Sequence, residues 1–352
     1  MRSISFILLL VVIVCSCKKD QPQPIPIETS LGSGIVVLCE GLFQQNNATI
    51  SWINSETSVV ATSLFEEKTG RKLGDTGNDL KRYGSKVYIV VSTSSTIEVV
   101  DAATFAPLKQ IEMLDGTVAK QPRSIAFYGS NAYVTCYDGF VDVIDTSSLN
   151  VVQRISVGSN PEGLDIANNK LYVSNSGGLN PAQMDSTLSV IDLNSHVEIQ
   201  KITVGLNPGS VITDSNGDVY VISRGDYAAI PSSLVRIDSQ SDVVVEEFAF
   251  EVSGVSKMND NFICYHYDYS NGQGVISLFD PTNETVVNSN YINVTNVNAL
   301  YGVQYNPVTH KIYAMDAMNF TNTGYLLEYD INGNQTASYH VGLNPSKILF
   351  YD

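Results

Sequence analysis

The residues of this chain that could do chemistry are mostly aromatics and amides set in loops. Phe43, Gln44, Tyr137, Arg224, Asp226, Tyr227, Tyr267, Tyr269, Asn319 and Phe320 fall in such segments, with Gln45, Asn46, Asp268 and Asn271 beside them. Rigid rings next to amides, with few charges, suit a large, neutral, hydrogen-bonding ligand. The bland alternative is ordinary polar loop residues, since Asn and Gly are common in any loop. Catalysis finds less support. Of the four histidines, only His266 shares these loops, while His196 and His310 fall on turns elsewhere and His340 on an outer strand. That is too few for a histidine metal site or a Ser–His–Asp arrangement. Asp226 and Asp268 are the one pair that could serve as acid and base, against the commoner role of solvated loop acids. Asp268, Asn271 and Asp316 offer oxygen ligands for calcium but lack the spacing of a calcium loop. The reading is a binding protein rather than an enzyme, with no cofactor and no metal centre, calcium in the loops being left open.

Those loops need a scaffold, and the chain repeats one. Seven segments end an alternating apolar strand on an acidic or amide residue, at Asn54, Asp101, Asp145, Asp192, Asp238, Asp280 and Asp330, spaced 42 to 50 positions apart. A period of that length, carried by strand signals only, predicts four strands per repeat and an all-β, seven-bladed propeller. The Asp side chain can hydrogen-bond backbone two residues on and fix each turn. Three corners repeat as Val157-Gly-Ser-Asn-Pro161, Val204-Gly-Leu-Asn-Pro208 and Val341-Gly-Leu-Asn-Pro345. Gly is expected to supply backbone freedom there, and Pro to start a strand where no N–H is needed. After the last corner only one strand's worth of chain remains, whereas the first repeat lacks its opening strand. The segment 346–351 should therefore pair with the first blade and close the ring, removing exposed edges.

This layout sorts the loops by face. Loops between second and third strands, together with the connections between blades, emerge on one side. They are long in five blades, at 40–48, 175–187, 224–232, 265–274 and 316–324, while the turns of the opposite face are short. Function usually sits on such elaborated loops. The first strand of each blade lines the central channel. Asn78, Arg123 and Tyr301 are expected at its mouth, with Asp79, Glu162, Lys257 and Lys347 as further candidates. Mixed charges there could equally serve only to solvate the channel.

Length alone would suggest two domains, but the uniform period overrules it. The domains expected are a signal peptide at 1–16, a lipidated and proline-rich tether at 17–33, and the propeller at 34–352. Arg2 followed by an apolar run to Val14 is too short to span a bilayer but fits a secretory leader. The net charge of −16 becomes −17 once Arg2 is removed. That argues against nucleic acid or anionic lipid as a partner, because both need a basic footprint. Pro22, Pro24 and Pro26 favour an extended stalk. Cys39, Cys136 and Cys264 fall in blades that do not touch, so they should be free buried thiols.

Val14-Cys15-Ser16-Cys17 resembles a bacterial lipobox, which implies acylation at Cys17. Lys18-Lys19-Asp20 resembles the start of Bacteroidota surface lipoproteins. Tyr172-Val-Ser-Asn175, Tyr133-Val-Thr135 and the Val-Gly-x-Asn-Pro corners resemble the YVTN-type (YncE-like) propeller repeat, over essentially the whole mature chain. Cys39-Glu-Gly-Leu-Phe43, Asn47-Ala-Thr49 and Lys72-Leu-Gly-Asp75 are similar to the opening of a surface-propeller family that includes cobalamin-capturing lipoproteins. The resemblance implies an outer-membrane, surface-exposed lipoprotein that takes up a corrinoid for an outer-membrane transporter. A glycan-binding or adhesive module is the alternative, and a lactonase- or lyase-type propeller enzyme a further one.

Overall fold

The computed structural model of the chain describes residues 30–178 and 181–351. The leader, Cys17 and the prolines of the tether lie outside the described residues. Those described form seven four-stranded antiparallel sheets and one two-stranded hairpin. They are the blades of a seven-bladed β-propeller, as the repeat predicts. Blade 4 shows the plan, running outward from Pro161–Ala167 through Lys170–Asn175 and Thr187–Asp192 to Val197–Thr203. Its second and third strands are buried along most of their length while the outer strand is mostly exposed. Middle strands, sandwiched between neighbouring blades, therefore read as apolar runs, and inner and outer strands carry the polar residues.

The ring closes as expected. Pro345–Tyr351 pairs antiparallel with Gly34–Cys39, setting Ile35 opposite Phe350 and Val37 opposite Ile348. The turn residues also behave as read. Asp145 Oδ1 accepts from the Ser147 and Ser148 amides, and the same contact recurs at Asn54, Asp101, Asp192, Asp238, Asp280 and Asp330. Cys39, Cys136 and Cys264 are buried and unpaired. Burial pushes the Cys39 and Cys264 thiols up to about 12, which leaves them without thiolate character.

Three details differ from the sequence reading. In the repeated corners it is Asn that takes the left-handed backbone, with φ of 47° at Asn160 and 55° at Asn207 and Asn344. The glycines serve close approach instead. A Cβ on Gly158 would stand 2.3 Å from Asn175 Cγ, and one on Gly205 2.5 Å from Ser223 Cβ. Second, the connection from blade 1 to blade 2 carries a short helix, Leu64–Thr69, because Leu64 and Phe65 bury against the adjoining core and Gly70 ends it at φ 72°. Third, the expected loop at 265–274 is mostly an extended hairpin, Asn261–Asp268 with Gln273–Asp280, turned over four residues.

Candidate functional site

Two sets of residues converge where the inner strands begin. The first set is the second residue of those strands: Asn78, Arg123, Glu162, Gly209, Tyr301 and Ser346. The second set follows directly on the second strands of blades 1 to 5: Glu40, Ser92, Tyr137, Ser176 and Arg224. Each of these five donates its N–H to the carbonyl of the left-handed corner residue beside it, at 2.8–3.2 Å, in Asn344, Thr76, Gln121, Asn160 and Asn207. The corner thus pins the backbone from which the mouth side chains project.

The side chains form one polar network. Arg123 meets Asn78 Oδ1 at 2.6 Å and Glu162 Oε2 at 3.2 Å, and its guanidinium lies 4.5 Å over the Tyr137 ring. Tyr137 donates its O–H to Glu162 Oε1, and Arg224 approaches that same oxygen at 3.5 Å. Burial alone would raise Glu162, but Arg123 and then Arg224 outweigh it and hold its carboxyl below the usual range. Glu40 behaves oppositely. It accepts from Tyr301 O–H at 2.8 Å, yet desolvation pushes its carboxyl up. The two carboxyls of one mouth thus have opposed charge preferences.

Beside this network a cleft of about 1270 Å³ opens over blades 5, 6 and 7. Its lining comes from Arg224 and Tyr227–Ser232 of blade 5, Glu251–Ser253 of the connection that follows, Tyr265–Ser270 of blade 6, and Leu300 and Tyr301 of blade 7. Four rings form a continuous array. Tyr269 stacks on Phe320 at 5.9 Å and 28°, stands edge-on to Tyr267 at 4.9 Å, and Phe320 meets Tyr301 at 5.7 Å. Tyr269 and Tyr227 present 71 % and 72 % of their surface to solvent.

The predicted residues divide accordingly. Arg224, Tyr227, Tyr267, Tyr269 and Tyr301 line the cleft, and Phe320 backs it through its ring contacts. Asn78, Arg123 and Tyr137 belong to the adjoining network. Tyr267 is buried, its O–H donated to the Asn298 carbonyl, so it is a support for Tyr269 more than an open contact. Asp226 and Asn319 serve their own loops, accepting amides from Ala228 and Ile230, and from Thr321 and Asn322. Phe43 and Gln44 are exposed in the blade 1 loop, outside the cleft lining. Asp268 and Asp316 are likewise held by local donors. His266 stands 3.4 Å from Ser253 Oγ and 3.5 Å from Glu251, longer than the roughly 2.6–3.2 Å over which a base takes a proton. Sequence reasoning passed over Glu40 and Tyr265. Aligning the ends of the second strands, Cys39-Glu40 with Cys136-Tyr137 and Ser223-Arg224, would have found Glu40.

The fold is shared with solved propellers. A quinonprotein alcohol dehydrogenase-like protein from Bacteroides thetaiotaomicron matches at 17 % identity and a TM-score of 0.64, over 91 % of this chain and 79 % of its own. A candidate 6-phosphogluconolactonase from Bacteroides fragilis matches at 14 % and 0.65, over 91 % and 98 %. Hydrazine synthase of Kuenenia stuttgartiensis matches at 19 % and 0.61, over 75 % and 85 %. At such identities the likeness is one of architecture. No curated protein matches the sequence. The pattern that does fit runs over residues 33–350, from Gly34–Cys39 of blade 1 to the strand that closes the ring, and by it the chain belongs to the DUF5074 family, a domain of unknown function.

Proposed function

We propose that this is a binding protein, not an enzyme, which captures one large organic ligand in the cleft over blades 5 to 7. The observation that carries the reading is the cleft itself. At about 1270 Å³ it exceeds the range of about 300–1,000 Å³ typical of drug-sized ligands, and one side is a connected array of rings. A corrinoid, a broad disc rimmed with amides, suits both features: rings bury its faces while tyrosine hydroxyls and loop amides meet its rim. In this reading the chain is acylated at Cys17, sits at the outer surface of the outer membrane, and hands the corrinoid to a transporter there. Among the described residues no helix is long and apolar enough to cross a membrane, and a lipid is the attachment proposed. The enzyme reading is disfavoured because Asp226, through Oδ1, and Asp268, through both oxygens, are engaged by donors of their own turns.

Calorimetric titration of the purified protein with cobalamin, followed by a glycan panel, tests the ligand. Wild type should bind cobalamin. Tyr227→Ala and Tyr269→Ala should each weaken binding by about 1–4 kcal/mol at unchanged melting temperature, because both rings are exposed. Tyr267→Ala should lower the melting temperature as well. The open face of Tyr269 also suits stacking on a sugar, so binding of a glycan with none of cobalamin would replace the corrinoid reading. Cys17→Ala should move the protein out of the membrane fraction, and retention there would refute lipidation.

A further inference from the structure

Arg224 is an arginine of the mouth with unspent hydrogen-bonding capacity among the described residues. We propose that its guanidinium is the seat for one anionic group of the ligand, a phosphoryl or a carboxylate, an inference that rests on the reading of the cleft as a ligand site. Arg123 is fully engaged by Asn78, Glu162 and the Tyr137 ring. Arg224, whose side chain is 31 % exposed, has a single ion-pair partner among the described residues, Glu162 at 3.5 Å. Both oxygens of that carboxylate already accept from other donors, Arg123 and Tyr137. Arg224 lines the cleft with N–H donors to spare, on a planar fork that can meet a carboxylate or phosphate two bonds at a time.

The backbone beneath it is shaped for this. A Cβ on Gly209 would lie 2.5 Å from Arg224 Nε and 2.6 Å from Cζ, so the guanidinium lies against a bare inner strand. In blades 3, 4 and 7 the matching position carries Arg123, Glu162 and Tyr301, and only a glycine leaves room for an arginine from the second strand. Charge points the same way. The two arginines share one firmly ionised carboxylate, Glu162, in a protein whose net charge is −16. Around Glu162 two arginines face one carboxylate, a local cationic excess to which a ligand could bring its own anion, while Glu40 lies apart on Tyr301.

The test begins on wild-type protein. Phenylglyoxal labelling of Arg224, read by peptide mass spectrometry, should be suppressed by inorganic phosphate or by acetate at constant ionic strength. Protection by phosphate alone identifies a phosphoryl site and by acetate alone a carboxylate site. Absence of protection by either overturns the proposal. By calorimetric titration with the protecting anion, Arg224→Met, and Gly209→Ala, which displaces the guanidinium while keeping its charge, should each bind it about tenfold or more weakly, the latter at nearly unchanged melting temperature. Undiminished affinity in Arg224→Met also overturns it. Cobalamin carries a phosphodiester and cobinamide does not, so their titrations separate the two readings. Equal cobalamin binding by wild type and Arg224→Met removes the seat but keeps the corrinoid. Anion protection with no corrinoid binding keeps the seat and removes the corrinoid.

Discussion

Glu162 and Glu40 are the same residue type in one mouth, and their neighbours give them opposite roles. Glu162 is the shared anion of two arginines. Glu162→Gln would leave Arg123 and Arg224 facing each other across a largely buried space. Losing one partner of a buried pair costs about 3–5 kcal/mol, and the 20 % exposure of Arg123 reduces this to about 2–3 kcal/mol. Urea unfolding should show a loss of that size, and a neutral result would remove the network from the stability of the ring. Glu40 has its carboxyl raised by desolvation. A carboxyl raised in the folded state gives stability that is full below its unfolded value, about 4.3, and is lost as pH rises through the folded value. Glu40→Gln should therefore melt at or above wild type at pH 8, with the difference shrinking toward pH 4. A constant difference would contradict the assignment. Little of this was legible in the sequence. Arg123 and Tyr301 were placed at the mouth by repeat position, but nothing local marks Glu40 as a partner of Tyr301, 261 positions away.

At the scale of the element, the Val-Gly-x-Asn-Pro corner shows what pattern reading can and cannot assign. The motif was visible at three of the corners, but which residue took the unusual backbone was not. The division is testable. Asn160 sits at φ 47°, where glycine is at ease, so Asn160→Gly should cost little. Gly158→Ala pushes a methyl into Asn175, the side chain that holds the Gly158 amide and also bonds Thr187 and Ser189. Overpacking of this kind costs about 1–3 kcal/mol, and a larger loss for Asn160→Gly in parallel urea melts would reverse the roles. The closing strand was legible for a different reason, because a strand surplus at one end matched a deficit at the other. Deleting 346–352 should expose Val36 and Val37 and leave the inner edge of Gly34–Cys39 unpaired, its other edge still held by Thr49–Asn54. Each large apolar side chain left unburied is worth about 1.5–3 kcal/mol, against total stabilities of about 5–15 kcal/mol. A truncated protein that stays soluble and melts unchanged would defeat the assignment. The helix at Leu64–Thr69 escaped notice because six residues give too few turns for a period to register.

For the molecule as a whole, the turn aspartates give the opposite face a common acid sensitivity. Asp101, Asp145, Asp192, Asp238, Asp280 and Asp330 all have carboxyls held below the ordinary range by backbone or side-chain donors in their turns. A depressed carboxyl gives stability that is present above its unfolded value, about 3.9, and disappears as pH falls through the folded one. Thermal melts should therefore decline as pH drops below about 4, and replacing all six by Asn should flatten that decline. The same face carries one more feature. Ser33 accepts the Ser55 amide and Leu31 donates to Ala103, so the chain enters the propeller among the short turns, at the end of blade 1 remote from the mouth. Blade strands of six or seven residues rise about 20 Å from that point of entry. A support that gripped the chain close to Ser30 would hold it from the face remote from the cleft. If that support is a bilayer, energy transfer from labelled lipid should be stronger to a dye at Asn169 than to one at Ala228. The ligand would then be met from the medium, and a receptor beneath would have to reach around the ring, or tip it over, to collect what the mouth has caught.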